Sequence, residues 1–353
     1  MRRFLVLGLL VASTVVAAQG RRVMTIADLI TAVRVADPQV SPDGKQVAFT
    51  RTTTNGTTGR RNADIWTVPV DGSAAARAFV TSDKSENTLR FTPDGQHVVF
   101  LSDRDGAMQL YLAAANGSGA KALTRLSAGV QPPVVISPDS KLVAFVSDVH
   151  PECADEACNA RMSEESDKDP VKVRVMTALP FRHWDEWRLN VRHHVLVADL
   201  TTGAARDITP GDFDAPPHFY EDAGIAFSPD SKTVAFVSNR DGRDKEMLST
   251  NQDVWLVPVT GPGTPKRVGA NPAADNSPVF SPDGRTLAVR AQRRAGFESD
   301  RWYLDLYDVA SGAKRTLFET PDLSVDEFAF SPDGSRILFT AQDRGRGNLY
   351  SVP

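Results

Sequence analysis

The sequence predicts an all-β fold, a β-propeller of four-stranded blades, and three observations carry that reading. A phrase built on Ser/Thr-Pro-Asp-Gly/Ser recurs six times, with its prolines 51, 45, 91, 53 and 50 residues apart. Around each copy lies the same grammar of short apolar runs separated by turn residues, which is the pattern of propeller blades. Composition agrees: 41% apolar and 24% charged residues, with 24 Gly and 23 Pro in 353 residues, describe a globular chain rich in tight turns and exclude disordered and collagen-like classes.

The chain opens with MRRFLVLGLLVASTVVAAQG, which reads as a secretory signal over residues 1–18. Arg2 and Arg3 form its positive end, Phe4 to Val16 its apolar stretch, and Val16-Ala17-Ala18 the small residues expected at a cleavage site. The apolar run is too short for a membrane span, which needs ~20 residues. Export to the periplasm or the medium is therefore expected, with no membrane contact after cleavage. Removing Arg2 and Arg3 lowers Lys+Arg from 40 to 38 against 44 acids, so the formal charge moves from −4 to −6. With no basic stripe, nucleic acid is not an expected partner.

Residues 19–37 form an N-terminal segment and 38–353 the propeller. The six phrases are SPDGKQVAFT from Ser41, TPDGQHVVFL from Thr92, SPDSKLVAFV from Ser137, SPDSKTVAFV from Ser228, SPDGRTLAVR from Ser281 and SPDGSRILFT from Ser331. Pro pre-sets φ for the turn, Asp can bond the nearby backbone, and Gly or Ser ends the turn at little cost. The run that follows, such as Val143-Ala144-Phe145, is apolar on both strand faces and suits a strand covered on both sides. An aromatic strand comes next, as in Ile65-Trp66-Thr67-Val68 and Val254-Trp255-Leu256-Val257. Further turns at Gly72, Gly117, Gly203 and Gly312 precede a short last strand carrying Arg or Lys.

The 91-residue spacing between Pro138 and Pro229 places an insert, at about 148–192, between the second and third strands of blade three. It holds both cysteines, Cys153 and Cys158, a polar stretch from Asn159 to Asp169 with helical character, and the segment Leu179-Pro180-Phe181-Arg182-His183-Trp184-Asp185-Glu186-Trp187. An insert of this length on a compact blade carries a role of its own more often than mere linkage. In an oxidising compartment the two cysteines are expected to pair; free thiols are the other reading, and a metal site with His150 lacks a fourth ligand nearby. Blade six shows its third strand, Asn348 to Val352, but no fourth. Either the polypeptide continues past Pro353, or a strand near Arg22 to Ile26 closes the ring.

Catalytic signatures do not appear. No G-x-S-x-G nucleophile elbow, H-E-x-x-H, P-loop or dinucleotide fingerprint is present. His193 and His194 read as ordinary strand residues, the Asp-rich turns as turn chemistry rather than calcium loops, and Asp212, Asp214, Glu221 and Asp222 as a solvated acidic loop. No cofactor or metal is expected.

The Ser-Pro-Asp-Gly blades, the exported N-terminus and Thr25-Ile26-Ala27-Asp28-Leu29 together resemble the N-terminal propeller of secreted bacterial prolyl-oligopeptidase-family serine peptidases. The segment Phe181 to Trp187 followed by Arg192-His193-His194-Val195-Leu196-Val197 looks more specifically like the dipeptidyl-peptidase V and acylaminoacyl-peptidase branch. The resemblance implies a C-terminal α/β-hydrolase domain, absent here, that carries the Ser-Asp-His triad, with the propeller covering its active site and admitting short peptides. It transfers no catalytic residue to this chain. Carboxylates suit recognition of a peptide's terminal ammonium, so Trp184, Asp185 and Glu186, then Glu164 and Glu165, are the candidate substrate contacts; the alternative is that they brace the insert against its own blade. The rival function is a free-standing TolB-type periplasmic propeller serving as a protein-binding scaffold.

Overall fold

The computed structural model describes residues 22–173, 175, 182–183, 186–187, 190–218, 224–242, 245–246, 248–261, 263–319 and 322–353. The expected leader, residues 1–18, lies outside them. Six antiparallel blade sheets follow one another along the chain, their strands in chain order, and a two-stranded hairpin interrupts the third. Blades one, two, four and five are uninterrupted four-stranded units. Blade three pairs Leu142–Val149 with Arg192–Asp199 across the insert, with Val149 opposite Arg192. Blade six holds three strands, Val325–Phe330, Ile337–Asp343 and Arg346–Val352. Residues 22–25 form no strand; the chain there enters helix α1 (Ile26–Thr31), so the closing-strand alternative does not form. The described helices are α1 and α2 (Glu156–Lys168), the second lying in the insert.

The repeated phrase folds the same way six times because its chemistry is local. In every copy the Ser or Thr hydroxyl donates to the Asp carboxylate at 2.6 Å. The same Asp oxygen accepts the backbone N–H two residues on, at 3.0–3.1 Å. The hydroxyl oxygen also accepts the N–H five residues on, closing the turn onto the next strand. The position after Asp is left-handed throughout. Glycine fills it four times, but Ser140 and Ser231 take φ of 60° there, a conformation that costs an L-residue energy.

Blade two shows why the sheets stack. Val98, Val99, Phe100 and Leu101 are all buried, Val98 and Phe100 in the cluster shared with blade one and Val99 and Leu101 in the cluster shared with blade three. Such a strand is buried on both faces, as its continuous apolar run requires. The outermost blades differ. Ile337, Phe339 and Ala341 pack toward blade five, whereas Leu338 and Leu349 are exposed.

The first strands of blades one to five touch one another in succession and are therefore the innermost. Four residues before the turn Ser or Thr, the chain kinks in four of the six blades: Asp37, Thr88, Gly224 and Ser277 have φ of 51°, 53°, 74° and 52°. The strand registers shift at Ala36/Gln39, Asn87/Arg90 and Asn276/Val279, as β-bulges do when they re-aim side chains. One consequence is a bond between blades, from Arg90 Nη1 to Asp37 Oδ2 at 2.7 Å.

The alternation of strands gives the propeller two distinct faces. One carries the six Ser/Thr-Pro-Asp turns and the turns at Gly72, Gly117, Gly203 and Gly312. The other carries the connections between second and third strands and the crossings between blades, and it is from this face that the insert springs. Helix α1 sits on it too: a Cβ at Gly56, in the 55–60 connection of blade one, would lie 3.2 Å from Thr31 Cγ2.

Candidate functional site

On the insert face, the first element after blade three's second strand is the Cys153–Cys158 disulfide, with Cα atoms 5.4 Å apart. Asp155 then caps α2, accepting the Cys158 N–H at 2.8 Å, and Glu156 occupies the first turn, where the helix dipole favours a carboxylate. Glu156 also accepts the Ser127 N–H at 2.5 Å. The buried Asn159 accepts the His150 N–H at 2.8 Å and donates to the Asp148 carbonyl at 3.1 Å. These contacts pin the first half of α2 to the end of its parent strand. Its second half is solvent-facing, and there Glu164 pairs with Lys168 and Glu165 with Arg161, each four residues away on the same helix. Both candidate glutamates are thus exposed but already engaged locally.

The segment read as discriminating forms a small hairpin, Arg182–His183 against Glu186–Trp187, with Arg182 opposite Trp187 and His183 opposite Glu186. The Arg182 guanidinium lies 5.8 Å from the centre of the Trp187 ring. Trp184 and Asp185 lie outside the described residues, as does the side chain of Glu186.

Where the insert returns, sequence reading missed the main feature. Arg192, 1% exposed, donates from Nε to Asp212 at 2.8 Å and from Nη1 to Asp214 and Glu246, each at 3.1 Å. Asp214 also accepts the His193 N–H at 3.0 Å. Asp214 is therefore buried and not part of a solvated patch, whereas Asp212 is exposed as expected; together with Glu246 they hold a buried cation that joins the third strand of blade three, the crossing to blade four and that blade's 239–252 connection. Glu221 and Asp222 lie outside the described residues. His193 and His194 do begin a strand, yet both are engaged. His194 Nδ1 meets Asp207 Oδ2 at 2.6 Å and its Nε2 meets the Gly211 carbonyl at 2.9 Å, so both ring nitrogens are engaged within the fold. His193 Nε2 lies 3.3 Å from Asp148 and 2.9 Å from His218 Nδ1.

Each of four blades also lays an arginine over an aromatic ring near this face: Arg51 on Trp66, Arg104 on Tyr111, Arg240 on Trp255 and Arg290 on Trp302, at 4.7, 4.8, 4.4 and 4.8 Å. Stacking of this kind holds a guanidinium in partly desolvated surroundings, and burial pushes Arg240 down to about 10. Among the described residues no three His, Cys, Asp or Glu side chains are grouped to hold a metal ion, and no helix is long and apolar enough to cross a membrane. Among the described residues this face offers charged and aromatic side chains.

Known proteins place this arrangement. Residues 16–166 match the PD40 model, described as a TolB beta propeller domain. Dipeptidyl-peptidase 5 of Porphyromonas gingivalis is 28% identical in an alignment that covers 92% of this chain and 47% of that protein. Dipeptidyl-peptidase 5 of Aspergillus fumigatus is 27% identical in an alignment that covers 97% of this chain and 50% of that protein. Pyrococcus horikoshii acylaminoacyl peptidase superposes with a TM-score of 0.67 at 15% identity, over 93% of this chain and 46% of that one, a likeness of fold. The chain spans about half the length of the curated relatives it matches.

Proposed function

We propose that this chain, an N-terminal β-propeller of the prolyl-oligopeptidase family of peptidases, is the non-catalytic, substrate-gating part of an exported serine exopeptidase of the dipeptidyl or acylaminoacyl type. One observation carries the reading: the insert and the N-terminal segment occupy the same face. Helix α1 leaves Ile26 and Leu29 78% and 59% exposed, and none of its residues is buried. Apolar surface of that kind marks a contact with another body. A catalytic domain seated there would meet the insert across an enclosed space, in which desolvated carboxylates bind an ammonium strongly.

In this reading Trp184, Asp185 and Glu186 border the cavity and receive the amino end of a short peptide. Glu164 and Glu165 lie earlier in the insert, where their ion pairs with Lys168 and Arg161 must exchange before they can take part. The α/β-hydrolase partner, the peptide substrates and export to the periplasm or medium belong to the same proposal.

The second reading, a TolB-type scaffold propeller without peptidase activity, is favoured by the family model that matches the first blades. Turnover separates the two. The protein purified in its native length from its source is assayed with free-amino dipeptidyl anilides, acylated amino-acid anilides and a folded protein. Cleavage of a short substrate with the folded protein left intact supports the peptidase. Inertness toward every peptide, with recovery in a stable protein complex, supports the scaffold.

A further inference from the structure

Between blades four and five lies a cluster of carboxylates that the proposed function does not use. Asp275 opens the first strand of blade five, is 1% exposed, and donates its N–H to the Gln252 carbonyl at 2.8 Å. Gln252 and Ala274 form a parallel bridge, so the first strand of blade five starts directly against the third strand of blade four. Asp275 Oδ1 accepts from Asn271 at 2.8 Å, whereas Oδ2 is buried with no hydrogen-bond partner.

Two more buried acids face the same junction. Asp253 belongs to the third strand of blade four and Asp305 to the third strand of blade five. The nearby cations are taken. Arg293, from the 292–302 connection, donates to Asp305 at 2.6 and 2.9 Å, and Lys314, from the fourth strand, does so at 3.1 Å. Arg267, from blade four's fourth strand, lies 2.5 Å from Asp253. Asp241 adds another negative charge near Asp253, and Tyr307 is neutral. These partners hold Asp305 below the usual carboxylate range although burial works against its ionisation. Asp275 has no cation of its own.

We propose that this junction is a proton-operated joint: Asp275 is held as the neutral acid, and its ionisation loosens the contact between blades four and five. An unpaired carboxylate in such a site is costly, and protonation removes the charge. Burial, reinforced by Asp305 and Asp253, pushes Asp275 up to about 7, with Asn271 and Lys314 opposing. The joint also roots two connections on the insert face. Gly296 N–H donates to Thr250 Oγ1 at 2.9 Å, and Gln292 Nε2 donates to the Glu298 and Asp300 carbonyls at 2.9 Å. Loosening the joint therefore frees the loops at 239–252 and 292–302 together. This inference does not depend on peptidase activity.

The sign follows from linkage. A carboxyl whose folded value lies above its unfolded value near 4 favours the closed joint at low pH, and the advantage is lost as pH rises from about 4 to about 7. Hydrogen exchange of residues 251–254 and 273–277, corrected for intrinsic rates, is measured from pH 5 to pH 8 on the protein and on Asp275→Asn. The expected result is a protection factor that falls about tenfold per pH unit up to pH 7 and then levels off, against a flat profile for Asp275→Asn. Should that variant not fold, the strand Glu86–Phe91 of the unsubstituted protein is the reference, because buried Glu86 has its own Arg104 at 2.9 Å. Parallel profiles at the two places, or equal slopes in the protein and the variant, would overturn the proposal.

Discussion

The backbone N–H of Asp94 in blade two donates to the side-chain oxygen of Ser140 in blade three at 3.0 Å. One blade further on, Asp139 N–H donates to Ser231 at 3.1 Å. The two serines that replace glycine in the repeated turn are thus the two that stitch neighbouring blades together, offsetting the strain of their left-handed backbone. Ser140→Ala retains the strain and removes the acceptor, so it is expected to destabilise the protein by about 1–2 kcal/mol. Ser140→Gly relieves the strain while losing the same bond and is expected to cost less. Chemical denaturation of both variants checks the order; an alanine variant as stable as the glycine variant would refute it.

Arg192 is expected to be the most sensitive charged position described in the fold. Truncating it to Ala leaves Asp214 and Glu246 facing each other without their shared cation, a loss of about 3–5 kcal/mol for a buried pair. Glu246→Gln keeps an acceptor, removes one of the three negative charges around the guanidinium and should cost distinctly less. Unfolding midpoints of the two variants test this, and equal midpoints would contradict a cation shared among three carboxylates.

Acid should unfold the propeller partly through its turns. The carboxylates of Asp43, Asp94, Asp230 and Asp283 are held below the usual range by the Ser or Thr hydroxyl and then by a backbone N–H, and Asp333 falls to about 2. Because their folded values are depressed, the stability they add is present above about pH 4 and disappears as pH drops through the folded values. Replacing Asp333 by Asn keeps an acceptor but no titration, so the variant should show a shallower loss of stability below pH 4. Superimposable acid-unfolding curves would count against this.

Reducing the Cys153–Cys158 bond should loosen the insert and spare the blades. The closed loop is short, and constraint of such a loop contributes about 2 kcal/mol in the chain-entropy view. Limited proteolysis with and without reductant is expected to cut within 150–173 faster after reduction, with the propeller's melting temperature unmoved. Faster cutting in the blades would show that the insert supports the whole wheel.

Much of this architecture is legible in the sequence because turn chemistry is local. Ser-Pro-Asp-Gly dictates its own hydrogen bonds, so six blades can be read off, and the apolar runs assign their faces. The insert is less legible, since it repeats nothing. Its helix, expected over Asn159 to Asp169, begins earlier at Glu156 because Asp155 is an N-cap with few apolar residues around it to mark a face. Least legible are contacts between residues distant in sequence. Nothing around Arg192 announces Glu246, and Asp275 resembles any strand-edge acid until blade four is packed against it. The kinks at Asp37, Thr88 and Ser277 do share a fixed spacing from the turn, a signal that alignment of the repeats could have exposed.

The central claim is that the face bearing α1 and the insert, not the opposite turn face, is the one presented to substrate. A photo-crosslinking amino acid placed at position 186, and in a second variant at position 333 on the turn face, tests this in the native-length protein with a labelled short peptide. Label recovered at 186 and absent at 333 is the predicted result; label at 333, or at both positions equally, would contradict the account.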